Sequence, residues 1–155
     1  MLSFWLHLIA LTVYLGSLVG LWFFILSPLS SLKTHEDQVA FLIRRIKIYN
    51  PVQIGALGVL LITGAFQLTD LKDTYRILFT REFGESLSLK LLLAFVIIIL
   101  STYQSMGVAH RFVRRTEAPE PVSPQDFQSV TMRLRSLTLV IFFFTLITVW
   151  VSIKI

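Results

Sequence analysis

The sequence has no cysteine and few charged residues. Only 15% of its 155 residues are charged, whereas soluble domains carry about 25%. Without cysteine, the chain can form no disulfide, thiolate-zinc site or iron–sulfur cluster. Hydrophobic residues make up 55% of the chain. This composition excludes a soluble enzyme, a nucleic-acid-binding module and a secreted disulfide scaffold, and it indicates a protein of the lipid bilayer.

Four long stretches carry no Asp, Glu, Lys or Arg: 1–32, 48–69, 91–110 and 136–153. A helix needs about 20 mostly apolar residues to cross the roughly 30 Å hydrocarbon layer. We therefore predict an all-α, polytopic membrane protein, a four-transmembrane-helix bundle that forms a single domain over residues 1–155. The predicted spans are 4–27, 51–69, 89–110 and 136–154.

Lysine and arginine are unevenly distributed between the connections. The first and third connections carry nine, against five for the second connection and the C-terminus. Because connections rich in Lys and Arg face the cytoplasm, we predict a cytoplasmic (inner) membrane protein with both termini outside. The net charge of +5 lies in these connections and does not indicate a nucleic-acid partner. The nine residues are Lys33, Arg44, Arg45, Lys47, Arg111, Arg114, Arg115, Arg133 and Arg135.

The first connection carries the pattern of an amphipathic helix. Thr34 is a candidate N-cap with an acidic residue three positions later. An apolar stripe follows at helical spacing: Val39, Leu42, Ile43 and Ile46. We predict a cytoplasmic amphipathic helix between the first two spans, either lying on the membrane surface or running into the second span at Pro51. Ser123-Pro124 gives a similar start signal for the last helix.

Small residues predict which spans pack closely, because close helix contacts in lipid require them. The first three spans contain such residues, including Gly16, Gly20, Gly55, Gly58, Gly64 and Ser101. The fourth span has no glycine and is rich in phenylalanine. We expect the fourth span to be more exposed, facing lipid, another membrane subunit or a second copy of the chain.

Polar residues at membrane depth are costly unless they are paired or functional. His7 and Lys90 are expected near the outer side, with Gln67 and Asp70. Arg44 and Arg45 are expected near the inner side. His110 lies 20 residues beyond Lys90, about 30 Å along a helix, so one subunit should not bind a single haem or metal through both His7 and His110.

Each of these residues has a functional and a structural interpretation. His7 is a candidate axial ligand of haem iron, with Lys90 or a water opposite, or a proton relay beside a quinone. Its alternative is an interfacial histidine bonded to a carbonyl or to headgroups. Arg44 and Arg45 either bind anionic headgroups or clamp propionates. Lys90 can also extend to the membrane surface without binding a ligand.

The order of these residues resembles the membrane protoporphyrinogen oxidases of the HemJ type. The resemblance rests on Leu6-His7-Leu8-Ile9, Arg44-Arg45-x-x-x-Tyr49-x-Pro51, Thr63-Gly64 and Lys90-Leu91-Leu92-Leu93. It implies b-type haem, with His7, Arg44 or Arg45, and Lys90 as the important residues. Where that family has Tyr-His in the third span, this chain has Tyr103-Gln104, and glutamine is a poor iron ligand. The resemblance therefore leaves open whether the chain is an enzyme.

The sequence looks equally like the CopD-type copper-resistance membrane domain. The matching stretches are Leu6–Leu26, with Tyr14-Leu15-Gly16, and Phe79–Gly84 leading into Leu89-Lys90. Three hypotheses follow: a haem- or quinone-associated redox protein that depends on His7, a non-catalytic accessory subunit of a larger membrane complex, and a copper or small-solute transport component. The first two rank above the third, because three methionines and three scattered histidines form no soft-ligand cluster.

Overall fold

The computed structural model describes residues 2–70, 81–117 and 121–153. These residues form helices and short connections, which confirms the all-α class. Two π-helical segments, π1 (Leu21–Leu26) and π2 (Tyr103–His110), continue α1 and α3, and a short 3₁₀ turn, Pro28–Ser31, follows π1. The α-helices are α1 (Leu2–Gly20), α2 (His35–Asp70), α3 (Arg81–Thr102), α4 (Arg111–Thr116) and α5 (Pro124–Ile153).

Four helical rods are long and apolar enough to cross a membrane, as the sequence predicts. The first to fourth spans are Leu2–Ser31, His35–Thr69, Leu87–Thr116 and Pro124–Ile153. Each rod is longer than the predicted span, because helical structure extends beyond at least one of its predicted ends. Residues 71–80, which include Phe79 and Thr80 of the resemblance, and residue 154, the predicted end of the fourth span, lie outside the described residues.

The predicted amphipathic segment and the second span form one helix. α2 runs for 36 residues with Pro51 inside it, so the helix runs into the second span, one of the two alternatives above. Proline is tolerated inside membrane helices because neighbouring groups satisfy the backbone atoms it frees. Leu42 and Ile46 are 0% and 2% exposed. The apolar stripe therefore packs against protein, in a cluster that includes Leu26 and Phe112.

The first and third connections meet at one end of the molecule, which we call the basic end. Lys47 Nζ lies 2.9 Å from Glu117 Oε1, and this contact lowers the pKa of the Glu117 carboxyl. His35 Nε2 donates to the Val122 carbonyl at 3.0 Å. Contacts between the two connections therefore stabilise the basic end. The charge pattern predicts that both connections lie on the same side of the membrane.

Both predicted helix start signals are confirmed. The Asp37 amide donates to Thr34 Oγ1 at 3.2 Å, and the Asp126 amide donates to Ser123 Oγ at 3.1 Å. Each hydroxyl satisfies a backbone N–H that the first turn of a helix leaves without an intrahelical acceptor. α2 and α5 therefore begin directly after these residues, at His35 and Pro124.

The four spans pack together through one buried cluster. Tyr14, Ala56, Ile97 and Ile141 belong to it, one from each span. α1 packs mainly against α2, and α3 mainly against α5. The core of the described residues thus includes the fourth span.

The expectation from the small residues is wrong for three of the glycines. A Cβ added at Gly16, Gly55 or Gly58 would meet nothing within 4 Å, so these glycines do not mark close helix contacts. In the fourth span 22% of the most apolar stretch is buried, which is less than in the first and third spans (28% and 33%) but more than in the second (17%). The fourth span buries threonine and isoleucine at helical spacing, and these side chains pack without glycine.

Candidate functional site

His7 is bound to the second span by a hydrogen bond that fixes its tautomer. His7 Nδ1 lies 2.8 Å from Thr63 Oγ1, and Thr63 Oγ1 lies 2.7 Å from the Val59 carbonyl oxygen. Because a carbonyl oxygen only accepts, the Thr63 hydroxyl donates to Val59 and accepts from His7. Nδ1 therefore carries the proton, and Nε2 of the neutral ring keeps its lone pair.

Three further residues lie at this end of the spans. A Cβ added at Gly64 would come 3.6 Å from His7 Cε1, so the ring lies directly over the glycine. Lys90 lies near the start of the third span, at the same end of the molecule as His7. Ser3 Oγ donates to the Thr63 carbonyl at 3.4 Å. We call His7, Thr63, Gly64 and Lys90 the histidine site.

The structure places His7 and Lys90 at the same end of the spans and the two predicted arginines at the other. Arg44 and Thr63 lie on the same continuous helix, 19 positions apart, which corresponds to about 28 Å. Arg45 lies over the Phe41 ring, with Cζ 5.2 Å from the ring centroid. Arg44 and Arg45 are thus at the basic end, so a ligand at the histidine site would not also contact them.

A second polar cluster lies inside the protein and joins three spans. Gln53 Nε2 donates to Gln104 Oε1 at 3.3 Å, and Gln104 Nε2 donates to Thr138 Oγ1 at 2.7 Å. Thr138 Oγ1 in turn donates to the Leu134 carbonyl at 2.6 Å. Gln53 and Gln104 are each 1% exposed, and Thr138 is 2% exposed. We call Gln53, Gln104 and Thr138 the amide chain.

Further hydrogen bonds connect neighbouring spans next to the amide chain. The Tyr14 and Ser101 hydroxyls, on α1 and α3, are hydrogen-bonded to each other. Ser105 Oγ donates to Asn50 Oδ1 at 2.7 Å, and Asn50 Nδ2 donates to the Ser105 carbonyl at 3.2 Å. These hydrogen bonds join uncharged hydroxyl and amide groups. They therefore hold the spans together without burying a charge.

Sequence reasoning recognised part of this core and missed part of it. Ser17, Thr63 and Thr145 bond to their own helix backbone. Ser101 bonds to Tyr14 on another span, and nothing in the sequence pattern singles out Thr138. The available signal was the spacing of Ser101, Gln104 and Ser105, which places three polar side chains on one helix face.

Gln104 stands where the resemblance has a histidine, and its surroundings suit an amide. Its carbonyl oxygen accepts from Gln53 and its NH₂ group donates to Thr138. The acceptor and the donor of an amide are bonded to the same carbon atom. A neutral imidazole also has one donor and one acceptor, but they are nitrogens on opposite sides of a ring. The residue therefore has a structural role here that does not require a metal.

The described residues contain no group of three or more His, Cys, Asp or Glu side chains that could hold a metal ion. No protein-family model matches the sequence, and the searches of curated proteins and of solved structures give no match either. The functional interpretation therefore depends on the geometry of the two polar clusters.

Proposed function

We propose that the chain is an integral membrane protein that binds b-type haem at the histidine site. The observation that carries the proposal is the hydrogen bond from His7 Nδ1 to Thr63 Oγ1, 2.8 Å long. Histidines that ligate metals usually donate their other ring N–H to a protein acceptor, which fixes the tautomer and the ring orientation. His7 meets this condition without any metal present.

The other residues of the histidine site fit the same group. His7 Nε2 would be the iron ligand, because its lone pair is free of the proton. Lys90 would help to hold the haem through its positive charge. Bound haem would supply one-electron transfer within the membrane. Arg44 and Arg45 have no part in this site, and we propose that they bind anionic headgroups.

The experiment is an absorption spectrum of the full chain purified from cells supplied with haem. We expect a Soret band in the wild-type protein and its loss in His7→Ala. His110→Ala is the matched control, because that histidine lies about 30 Å from Lys90 along its helix, and it should keep the band. Thr63→Val should weaken haem binding without abolishing it, since the hydrogen-bond partner of a ligating histidine typically contributes about 10–100-fold to metal affinity.

Two results would contradict the haem proposal. One is a colourless wild-type preparation that takes up no added haem while its helix content stays intact. The other is a His7→Ala protein that binds haem as well as the wild type does. In either case the histidine would have only the structural role of joining α1 to α2.

We also propose that the four spans form a bundle in the cytoplasmic membrane, with the basic end inside and both termini outside. Support comes from the contacts that join the first and third connections, such as Lys47 with Glu117. The first third of α2 would then be the cytoplasmic amphipathic helix. Because the sequence has no cysteine, single cysteines at Ser31 and Ser123 can be tested cleanly with a membrane-impermeant thiol reagent. If either cysteine were labelled from outside intact cells, the proposed orientation would be wrong.

A second candidate is an accessory subunit of a larger membrane complex. The observation that favours it is an exposed apolar surface on the fourth span, which includes Leu139, Phe143 and Leu146. Either another membrane subunit or a second copy of the chain would bind there. Cysteine cross-linking from Phe143→Cys in native membranes tests it, and a cross-linked product would support this role. The structure adds no observation in favour of copper or solute transport, which stays a prediction.

A further inference from the structure

A contact between the second and third spans at the basic end fixes how their charged residues are arranged. Phe112 of α4 belongs to the same buried cluster as Leu42 and Ile46 of α2. Beside this contact, Lys47 pairs with Glu117. The exposed charged side chains of the two helices therefore flank one packed contact, and the ion pair shows which of them share a side.

Two arginines share the side of this ion pair. Arg44 is three residues before Lys47 and Arg114 is three residues before Glu117, and residues three apart are neighbours on a helix surface. Both arginines are exposed, and neither has an acidic partner or a hydrogen bond among the residues that the structure describes. Because the ion pair is neutral, the two guanidinium groups give this side a net positive charge. We call Arg44 and Arg114 the arginine pair.

A small cavity opens between the same two spans, deeper in the bilayer than the arginine pair. Its volume is about 100 Å³, and its wall is almost wholly apolar. Ile54 and Met106, which line it, are 42% and 56% exposed, so the cavity is open to lipid. Clefts that hold a whole drug-sized ligand measure about 300–1,000 Å³, so this one suits part of an alkyl chain. We call it the apolar cavity.

The apolar cavity lies below the arginine pair along both spans. Ile54 is seven residues after Lys47, which places it two turns along the same face of α2 and about 10 Å deeper. On the third span, Met106, His110 and Arg114 follow one another at four-residue spacing, so they lie close to one line along the helix. Half of the hydrocarbon layer is about 15 Å thick. A lipid with its headgroup at the arginine pair would therefore pass its chain over the cavity within the same leaflet.

These features match an amphiphile that carries a phosphate at one end and alkyl chains at the other. Arginine can bind phosphate oxygens through two parallel N–H donors, and basic residues next to a span attract anionic headgroups. We propose that the groove between the second and third spans binds one anionic phospholipid, with its phosphate at Arg44 and Arg114 and one acyl chain in the apolar cavity. The proposal extends the headgroup contact proposed above for Arg44, and it does not depend on the histidine site.

Two neighbouring arginines provide a matched comparison, because they lie on the other side of the same helices. Arg45 is two residues before Lys47, and Arg115 is two residues before Glu117. Residues two apart do not face each other on a helix. A general attraction of headgroups to the basic end would involve these two arginines as much as the arginine pair, whereas a lipid bound in the groove would involve only the arginine pair.

The experiment is photolabelling of the full chain in phosphatidylcholine nanodiscs that contain a small fraction of a lipid with a diazirine in its acyl chain. Phosphatidylglycerol is the anionic probe, and phosphatidylcholine with the same chains is the matched zwitterionic probe. We expect the anionic probe to label the peptide that contains Ile54 and Leu57 at least about fivefold more strongly, the factor for the attraction of one basic residue. The first span around Phe23, which is 63% exposed, should be labelled about equally by both probes.

Two double substitutions separate a bound lipid from a general attraction. Arg44→Gln with Arg114→Gln should remove most of the preference for the anionic probe. Arg45→Gln with Arg115→Gln removes the same charge from adjacent positions and should keep the preference. All four side chains are exposed, so both variants should fold, and circular dichroism measures their helix content. His7→Ala should label as the wild type does, so a loss of haem binding and a loss of lipid binding can be told apart.

A single substitution tests the apolar cavity. Met106→Trp should fill its mouth and reduce labelling of the Ile54 peptide by the anionic probe to the level of the zwitterionic probe. Met132→Trp is the matched control, because Met132 is 63% exposed on the fourth span, and this variant should label as the wild type does.

Three outcomes would overturn the proposal. They are equal labelling of the Ile54 peptide by the two probes, equal effects of the two double substitutions, and labelling that Met106→Trp does not change. Equal effects of the double substitutions would leave the general headgroup contacts of Arg44 and Arg45 in place and remove only the bound lipid. A colourless protein that still prefers the anionic probe would contradict haem binding alone and would support the lipid site.

Discussion

The amide chain should stabilise the fold mainly by keeping buried amides paired. Thr138→Val removes the acceptor of Gln104 and leaves the Gln104 NH₂ group without that partner in a position that is 1% exposed. Hydrogen bonds between membrane helices contribute about 0.6 kcal/mol on average and up to about 1.7, and an unpaired buried donor costs roughly 1–3 kcal/mol. We therefore expect Thr138→Val to lower the free energy of unfolding by about 1–3 kcal/mol.

Thr145→Val is the matched control for this substitution. Thr145 is 3% exposed, and its hydroxyl bonds only to the Ile141 carbonyl of its own helix. The same atoms are removed from the same helix, but no other side chain loses a partner. We expect this variant to stay within about 0.5 kcal/mol of the wild type.

A double-mutant cycle tests the same reasoning at Gln53 and Gln104. Gln53→Met leaves the Gln104 carbonyl oxygen without its donor, and Gln104→Met leaves the Gln53 NH₂ group without its acceptor. Each single variant should cost about 2 kcal/mol. In the double variant no amide remains to be satisfied, so its cost should be smaller than the sum by about 2 kcal/mol, within the range known for contacting residues. Unfolding by denaturing detergent in mixed micelles, followed by circular dichroism, measures all four proteins. Additive costs, or equal effects of Thr138→Val and Thr145→Val, would refute the argument.

Two further predictions concern the basic end. Leu42→Ala should lower the free energy of unfolding by about 2–5 kcal/mol, because Leu42 is 0% exposed and truncation leaves a cavity. Ile48→Ala, at a 63% exposed position, should change it little. Equal effects in detergent unfolding would show that the start of α2 is not packed against the spans. The Lys47–Glu117 contact lowers the pKa of Glu117. The small contribution of this contact to the stability of the folded protein is therefore present when the pH is above the ordinary pKa of the carboxyl, about 4.5. It is lost as the pH falls through the lowered pKa of the folded state. Glu117→Gln should flatten this acid dependence, and high salt should weaken it in the wild type; an unchanged pH profile would contradict the assignment.

The spans were predictable because one strong rule governs them. Charged groups are too costly in hydrocarbon to interrupt a span, so the spacing of Asp, Glu, Lys and Arg locates the apolar rods. The starts at Thr34 and Ser123 were also predictable, because one hydroxyl satisfies one exposed N–H in a local contact. Pro51 shows the limit of such rules. Hydropathy does not say whether a chain bends there, and in this protein the helix continues.

The polar core was not predictable, because its contacts join residues far apart in the chain. Gln53 and Gln104 are separated by 51 positions, and Tyr14 and Ser101 by 87. A single sequence shows that such residues are polar and near the same depth, but not which faces meet. Gly16, Gly55 and Gly58 misled for the same reason. Among the six glycines whose surroundings the structure describes, Gly64 alone lies under a side chain of another span, that of His7.

The two polar regions divide structural and chemical roles between them. The amide chain contains no titratable group and its direction is fixed by the Thr138 hydroxyl, so it can hold the spans in register but cannot move a proton or bind an anion. His7 and Lys90 lie at the far end of the spans from the basic end. About 15 Å of helix separates Gln53 from Thr63 on α2. Substitutions in one polar region should therefore leave the other intact, so that the haem proposal can be tested independently of the amide chain.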